Sequence, residues 1–308
     1  MKGLRVRTGI HGLDELVGGG FPRESCVLVT GKVGTGKSIF AMQYIANGIQ
    51  EYGEPGVLVS LERERRALYD DGAAFGWQLQ RLEKEGSLQI LGGPIASVAR
   101  AMKKAEAAME DILDEIVEAV EGAEAKRAAI DGVEKLAIFE PDEVSLRLQL
   151  GDLKGRLAEL GCTTLLTCEG DEEGMSKLGL EEVVDGIVVL YYEGEGLTRD
   201  RALEIRKMRG TVHSNQLHFF DITDRGIALK KLPEVSGGSC SSGSASMPTR
   251  CLFCGKPMDN PAKLREGGRA SFCDSCLRKL ERKGLVRKLA DGTVELRRPL
   301  MEVIANYR

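Results

Sequence analysis

The eight residues Gly31-Lys32-Val33-Gly34-Thr35-Gly36-Lys37-Ser38 combine spaced glycines, a lysine and a hydroxyl. Glycines let successive backbone N–H groups curl around an anion. A lysine at the end of such a loop adds a point charge, and the serine after it suits a divalent cation. The pattern is that of a polyphosphate cradle, with Lys37 on the β- and γ-phosphates of a nucleotide and Ser38 on Mg²⁺. The phosphate contacts fall to Gly31, Val33, Gly34, Thr35, Gly36 and Lys37, and the binding segment runs on into Ile39 and Phe40. Such a cradle works only between a strand and a helix, whose N-terminus adds its dipole.

A second oxygen ligand on the Mg²⁺ side is expected from a carboxylate at the same sheet edge. Asp131 ends the short apolar run Ala128-Ala129-Ile130 and fills that place, on a strand expected beside the cradle's own. Hydrolysis further needs a group that positions water and accepts its proton. Glu62, after Val57-Leu58-Val59-Ser60-Leu61, is the first choice, and Glu64 is its local rival.

A different chemistry stands near the C-terminus. Cys251-Leu252-Phe253-Cys254 and Cys273-Asp274-Ser275-Cys276 are two CxxC pairs separated by 18 residues. Thiolates on two hairpin-like turns can enclose one tetrahedral Zn²⁺ and leave no position for a catalytic water. Such a metal replaces the core that so small a domain lacks. An iron centre or a redox dithiol pair is the alternative. Cys26, Cys162 and Cys168 lie in apolar runs and read as small buried hydrophobes. The usage suits a reducing compartment.

The elements that must position these groups can be read from periodicity. Cys26–Thr30 leads straight into the glycines, and a helix begins at Ser38 and runs to about Gln50. Strands follow at Val57–Leu61, Leu88–Leu91, Ala128–Ile130, Thr163–Thr167 and Ile187–Tyr191. Between them stand helices from about Val98 to Gly122 and from Leu146 to Leu160, the second stopped by Gly161. Strand–helix alternation of this kind predicts an α/β domain with a mostly parallel sheet. After residue 200, Arg201–Met208, Leu217–Asp221 and Gly226–Leu229 read as an antiparallel extension of it. The expected organisation is a nucleotide-binding domain over 1–235, a Gly/Ser linker over 236–249 and a small zinc-binding domain over 250–308.

The net charge of -4 hides an asymmetry: from Pro248 to Arg308 there are 14 Lys or Arg against 7 Asp or Glu. A basic tail domain on an acidic body leaves room for nucleic acid or an acidic protein as partner. Aromatics near the knuckles are few, chiefly Phe253 and Phe272, which weakens a base-stacking platform. No signal peptide and no run of 18 uncharged apolar residues is legible, so a cytoplasmic protein with no membrane insertion is expected.

The order of motifs resembles that of the KaiC-like ATPases of the RecA superfamily. Thr8-Gly9-Ile10-His11-Gly12-Leu13-Asp14-Glu15-Leu16 and Gly18-Gly19-Gly20-Phe21-Pro22 precede the loop. Val59-Ser60-Leu61-Glu62, Ala74-Phe75-Gly76-Trp77, Asp131, Val184–Leu190 and Lys207-Met208-Arg209-Gly210-Thr211-Val212-His213 follow it, so the likeness covers about residues 3 to 232. The resemblance implies a RecA-like P-loop NTPase fold, ATP and Mg²⁺ as ligands, and Glu62 at the catalytic glutamate. It also implies a ring, commonly a hexamer, with ATP between subunits. Lys207 and Arg209 would then reach the neighbour's nucleotide, while Thr167 and Glu169 occupy a region that often senses the γ-phosphate. The chain departs from the family in having Arg63 where a second glutamate is usual, which suggests slow turnover or an Arg63–Glu62 pair that alters the glutamate's charge state. It has one ATPase domain where the family often has two, and no match to the phosphorylated tail of the clock member. The leading expectation is a ring-forming ATPase that regulates or remodels a partner protein through its C-terminal domain. A DNA-associated RecA-type ATPase and a nucleotide-dependent signalling scaffold with negligible turnover stay open.

Overall fold

The computed structural model describes residues 5–93, 109–193, 200–230, 273–289 and 293–296, with short strand pairs at 249–250, 257–258, 262–263 and 269–270. The chain divides into two compact units, Met1–Glu234 and Val235–Arg308.

The first unit is built on nine strands in the order β11-β10-β9-β8-β3-β7-β6-β4-β5. They are β3 (Cys26–Gly31), β4 (Gly56–Ser60), β5 (Leu88–Gly92), β6 (Arg127–Asp131), β7 (Thr163–Glu169), β8 (Gly186–Glu193), β9 (Asp200–Met208), β10 (Leu217–Thr223) and β11 (Gly226–Leu229); a separate ribbon pairs β1 (Arg5–Val6) with β2 (Phe21–Pro22). Strands β3 to β8 run parallel, and β9, β10 and β11 continue the sheet antiparallel. Because a strand alternates its side chains, a sheet covered on both sides needs apolar residues at every position. In β3, Val27 and Val29 enter one core and Cys26 and Leu28 the other. Leu58, Ala129 and Leu165 join the first core; Val57, Ala128 and Leu166 join the second.

Helix α2 (Lys37–Tyr52) fills the first face, with α1 (Leu13–Leu16), α3 (Arg65–Ala74) and α4 (Leu79–Lys84) around it. Helices α5 (Met109–Gly122) and α6 (Glu143–Glu159) cover the second. In α6, Leu146, Leu150, Leu153 and Leu157 make one buried stripe. Asp142 caps it by accepting the Ser145 N–H at 2.7 Å, and Gly161 follows its end at φ 75°. The helix expected from Val98 is described only from Met109.

One expectation about the sheet fails. Asp131 is not on the strand beside the P-loop strand, since β7 lies between β3 and β6 and pairs with both. The apolar runs at Ala128–Ile130 and Thr163–Thr167 carry no mark of which sits nearer β3.

The second unit contains α7 (Asp274–Arg282) and three short strand pairs: β12 (Thr249–Arg250) with β13 (Pro257–Met258), β14 (Ala262–Lys263) with β15 (Arg269–Ala270), and β16 (Val286–Lys288) with β17 (Val294–Leu296). Cys251 and Cys254 lie outside the described residues, between two strands that pair as a hairpin. The second pair is not on a hairpin turn: Cys273 is the N-cap of α7, and Cys276 is buried in its first turn. Polar Asp274 and Ser275 suit a helix start as well as a turn. Among the described residues no group of three or more His, Cys, Asp or Glu is placed to hold a metal, and no helix is long and apolar enough to cross a membrane.

Candidate functional site

Strand β3 delivers the glycine-rich loop, and α2 leaves it at Lys37. Gly31 has φ 148°, and a Cβ there would collide with the Leu190 carbonyl on β8. Gly36 caps α2 at φ 110°, a region that L-residues avoid. The Lys37 ammonium donates to the Gly31 and Lys32 carbonyls at 2.7 and 3.0 Å, and the Thr35 hydroxyl donates to the Lys32 carbonyl at 2.9 Å. Burial lowers the Lys37 pKa, against the opposing pull of Glu134, Glu169 and Asp131. Lys32 turns outward to Glu172 at 3.1 Å.

Asp131 lies at the tip of β6 and is nearly buried. Its Oδ1 accepts the Thr167 hydroxyl at 2.6 Å, and the Ser38 side chain lies near this carboxylate. Thr167 in turn accepts the Gly132 N–H at 2.9 Å. Burial pushes the Asp131 pKa up, and Thr167 and Ser38 oppose it. The intervening strand β7 therefore connects the site through Thr167, whose hydroxyl is bonded to the carboxylate.

Glu62 stands two residues beyond β4, whose Ser60 is level with Asp131 on β6. Its Oε1 pairs with Lys135 Nζ at 2.7 Å. The expected Arg63–Glu62 pair does not form, because Arg63 turns to Asp71 on α3 at 3.0 Å. A helix starting at Arg65 offers its own carboxylate to an arginine two residues upstream. Glu64 is exposed at the N-cap of α3 without a side-chain cap bond. Glu169 pairs with Lys177 at 2.8 Å, and that bond lowers its pKa. Glu134, on the 3-10 turn Val133–Ile138 after Asp131, accepts the Glu169 N–H at 3.2 Å. Neither Glu134 nor Lys135 stands out in the sequence. The adjacency of β4 and β6 is what places them at the site.

Lys207 and Arg209 are elsewhere. Strand β9 runs against β8, and Lys207 is level with Ile187, which is level with Leu28. These residues therefore stand toward the N-terminal edge of the parallel strands, with the P-loop at the other edge. From Leu28 to Gly31 the strand rises about 10 Å, and the two side chains point to partners farther away still. Lys207 Nζ donates to the Glu181 and Val184 carbonyls at 2.8 and 2.7 Å, and burial lowers its pKa. Arg209, 57% exposed, lies 3.3 Å from Asp185. Asp185 also accepts the Cys26 N–H at 3.0 Å and pairs with Lys154 at 2.7 Å.

A strand, a glycine loop closing on Lys37 and Ser38, and a buried aspartate near that serine have the arrangement of a P-loop. The family model described as "ATPase: KaiC" matches residues 6–234. This chain belongs to the KaiC ATPase family. A UPF0273 protein of Methanopyrus kandleri is 41% identical over 233 residues, covering 73% of this chain and 91% of that protein. The circadian clock oscillator protein KaiC of Synechococcus elongatus is 35% identical over 259 residues, 80% of this chain and 49% of that protein. The crystal structure of a KaiC-like protein from Pyrococcus horikoshii matches with TM-score 0.65 at 38% identity, covering 74% of this chain and 99% of that one. The fold is thus the RecA-like P-loop NTPase fold of the KaiC family, with a mixed parallel and antiparallel sheet.

Proposed function

We propose that this KaiC-family chain is a Mg²⁺-dependent ATPase that assembles into a hexameric ring, and that it regulates or remodels a partner protein. The observation that carries the reading is the buried Asp131 carboxylate, hydrogen-bonded to Thr167 and close to Ser38 at the end of the loop that carries Lys37, a set that suits a hydrated cation on a bound polyphosphate. In the hydrolytic step the water oxygen bonds to the γ-phosphorus, the bond from that phosphorus to the bridging oxygen breaks, and ADP leaves with the bridging oxygen. Glu62 orients the water and takes its proton. Lys37, through its charge, binds the phosphates in the ground state and through the transfer.

Lys207 and Arg209 act in trans on this reading. Both stand toward the sheet edge away from their own P-loop, which supports a role at another copy's nucleotide and not at their own. The test mixes Glu62→Gln protein with Arg209→Ala protein. Each parent should turn over ATP slowly, and subunit exchange should restore activity at interfaces that join an intact Glu62 to an intact Arg209. If exchange is demonstrated by light scattering and labelling yet activity stays at the parental level, the shared site is wrong.

The C-terminal unit is proposed to hold one Zn²⁺ through Cys251, Cys254, Cys273 and Cys276 and to serve as the adaptor for the partner. Support comes from the donor set and from the placement of Cys273 and Cys276 at a helix N-terminus, where the dipole favours thiolate. When bound, the metal supplies folding energy to a unit with a small apolar core.

A further inference from the structure

We infer that Lys135 is a positioning residue that clamps the Glu62 carboxylate and restrains turnover; the inference rests on the ATPase reading above. Because β4 and β6 are neighbours, the chain leaving each passes beside the other, and Leu61 N–H donates to the Asp131 carbonyl at 3.1 Å. Gly132 is bare where Glu62 lies over it: a Cβ there would sit 3.4 Å from Glu62 Cγ. The 3-10 turn then brings Lys135 back, its N–H on the Gly132 carbonyl at 3.0 Å and its ammonium 2.7 Å from Glu62. Glu134 is the competing anion, but it stands farther from the ammonium at 3.9 Å and is already held by the Glu169 N–H.

The other cations near the site are committed elsewhere. Lys37 bonds to loop carbonyls, Lys177 pairs with Glu169, and Arg63 pairs with Asp71. Among the described residues Glu62 has no other ion-pair partner. One oxygen of the Glu62 carboxylate is directed at the lysine and not at a water. Lys135 and Glu62 have side chains 37% and 46% exposed, so solvent screens the pair and it can open. The clamp is therefore a restraint on the rate and not a lock. It sits on the turn that follows Asp131.

The test is steady-state ATP hydrolysis by the full chain. Lys135→Met should raise kcat by about two- to fivefold, the scale a half-exposed ion pair permits, and leave the KM for ATP within about twofold. Lys135→Arg keeps the pair and should return kcat toward the starting value. A Lys135→Met protein that folds normally but turns over no faster overturns the inference. So does a rise of the same size in a Glu62→Gln background, because the lysine then acts through something other than Glu62. Full turnover by Glu62→Gln alone removes the role given to Glu62 itself, and the clamp goes with it. Loss of turnover in Glu62→Gln with no gain in Lys135→Met removes only the clamp.

Discussion

Thr167 provides the sharpest test of how this site is held. Thr167→Val replaces a fully buried hydroxyl by a methyl of similar shape. It deletes the 2.6 Å bond to Asp131 and leaves the Gly132 N–H without its acceptor. A hydrogen bond to a charged group is worth about 1.5–3 kcal/mol, or roughly ten- to a hundredfold in an equilibrium constant. Outer partners of metal-binding carboxylates cost about that much when removed. The expected result is a Mg²⁺ concentration for half-maximal turnover raised roughly ten- to a hundredfold, with Thr167→Ser near the wild type. Removing the bond also removes one influence that holds the Asp131 pKa down, so the deficit should deepen as pH falls. Phosphate release would be followed against Mg²⁺ at saturating ATP, and Trp77, the chain's single tryptophan, would report folding in urea. A Thr167→Val protein with wild-type stability and a Mg²⁺ requirement within twofold of normal refutes the argument that β7 holds Asp131 for the cation.

Two further outcomes follow from the same structure. Asp185 has a depressed pKa despite a burial effect that raises it, because the Cys26 N–H, Lys154 and Arg209 favour its charged form. A group depressed on folding contributes stability that is present above its unfolded pKa of about 3.9 and is lost as pH falls through the lower folded value. Asp185→Asn should thus cost about 2 kcal/mol at pH 7, with the difference from wild type closing below about pH 4; equal urea midpoints at pH 7 would contradict this. Elemental analysis should find one zinc per chain, and Cys254→Ser should lose it while ATP binding by calorimetry stays largely intact. An unchanged metal content after both CxxC pairs are replaced would exclude the proposed ligands.

What was readable in the sequence was local. The P-loop, the stripe of α6 with its Gly161 stop, and the apolar strands announce themselves within a few residues because glycine geometry and side-chain periodicity are short-range. Partnerships between strands are not. Arg63 has a plausible neighbour in Glu62 and a real one on α3, and Lys135 meets Glu62 only because β4 and β6 pair. Arg127 is the clearest case. It stands just before the apolar run Ala128–Ile130, and its side chain is fully buried. There it pairs with Glu54, donates to the Tyr44 carbonyl at 2.8 Å, and lies 4.7 Å from the centre of the Tyr44 ring. A side chain on Gly48 would collide with that guanidinium, so a glycine inside a helix is what makes room for it. No periodicity in either segment reveals the fit, since each half is anomalous until the other is in place.

The two sheet edges bear on how a shared site would divide its labour. Lys37, Ser38 and Asp131 gather at one edge, while Lys207 and Arg209 stand toward the other around Asp185. The two late cations are not equivalent. Lys207 is tied to two backbone carbonyls, and burial has already lowered its pKa, so freeing it means stripping two hydrogen bonds from the segment before β8. Arg209 faces one carboxylate from a largely exposed position, and Asp185 keeps Lys154 and the Cys26 N–H when the arginine leaves. An exposed ion pair of this kind exchanges partners at little cost, and a planar guanidinium matches phosphate oxygens in a way an ammonium does not. On the trans reading, then, Arg209 is freed for a neighbour's phosphates at less cost than Lys207, which must first give up the Glu181 and Val184 carbonyls.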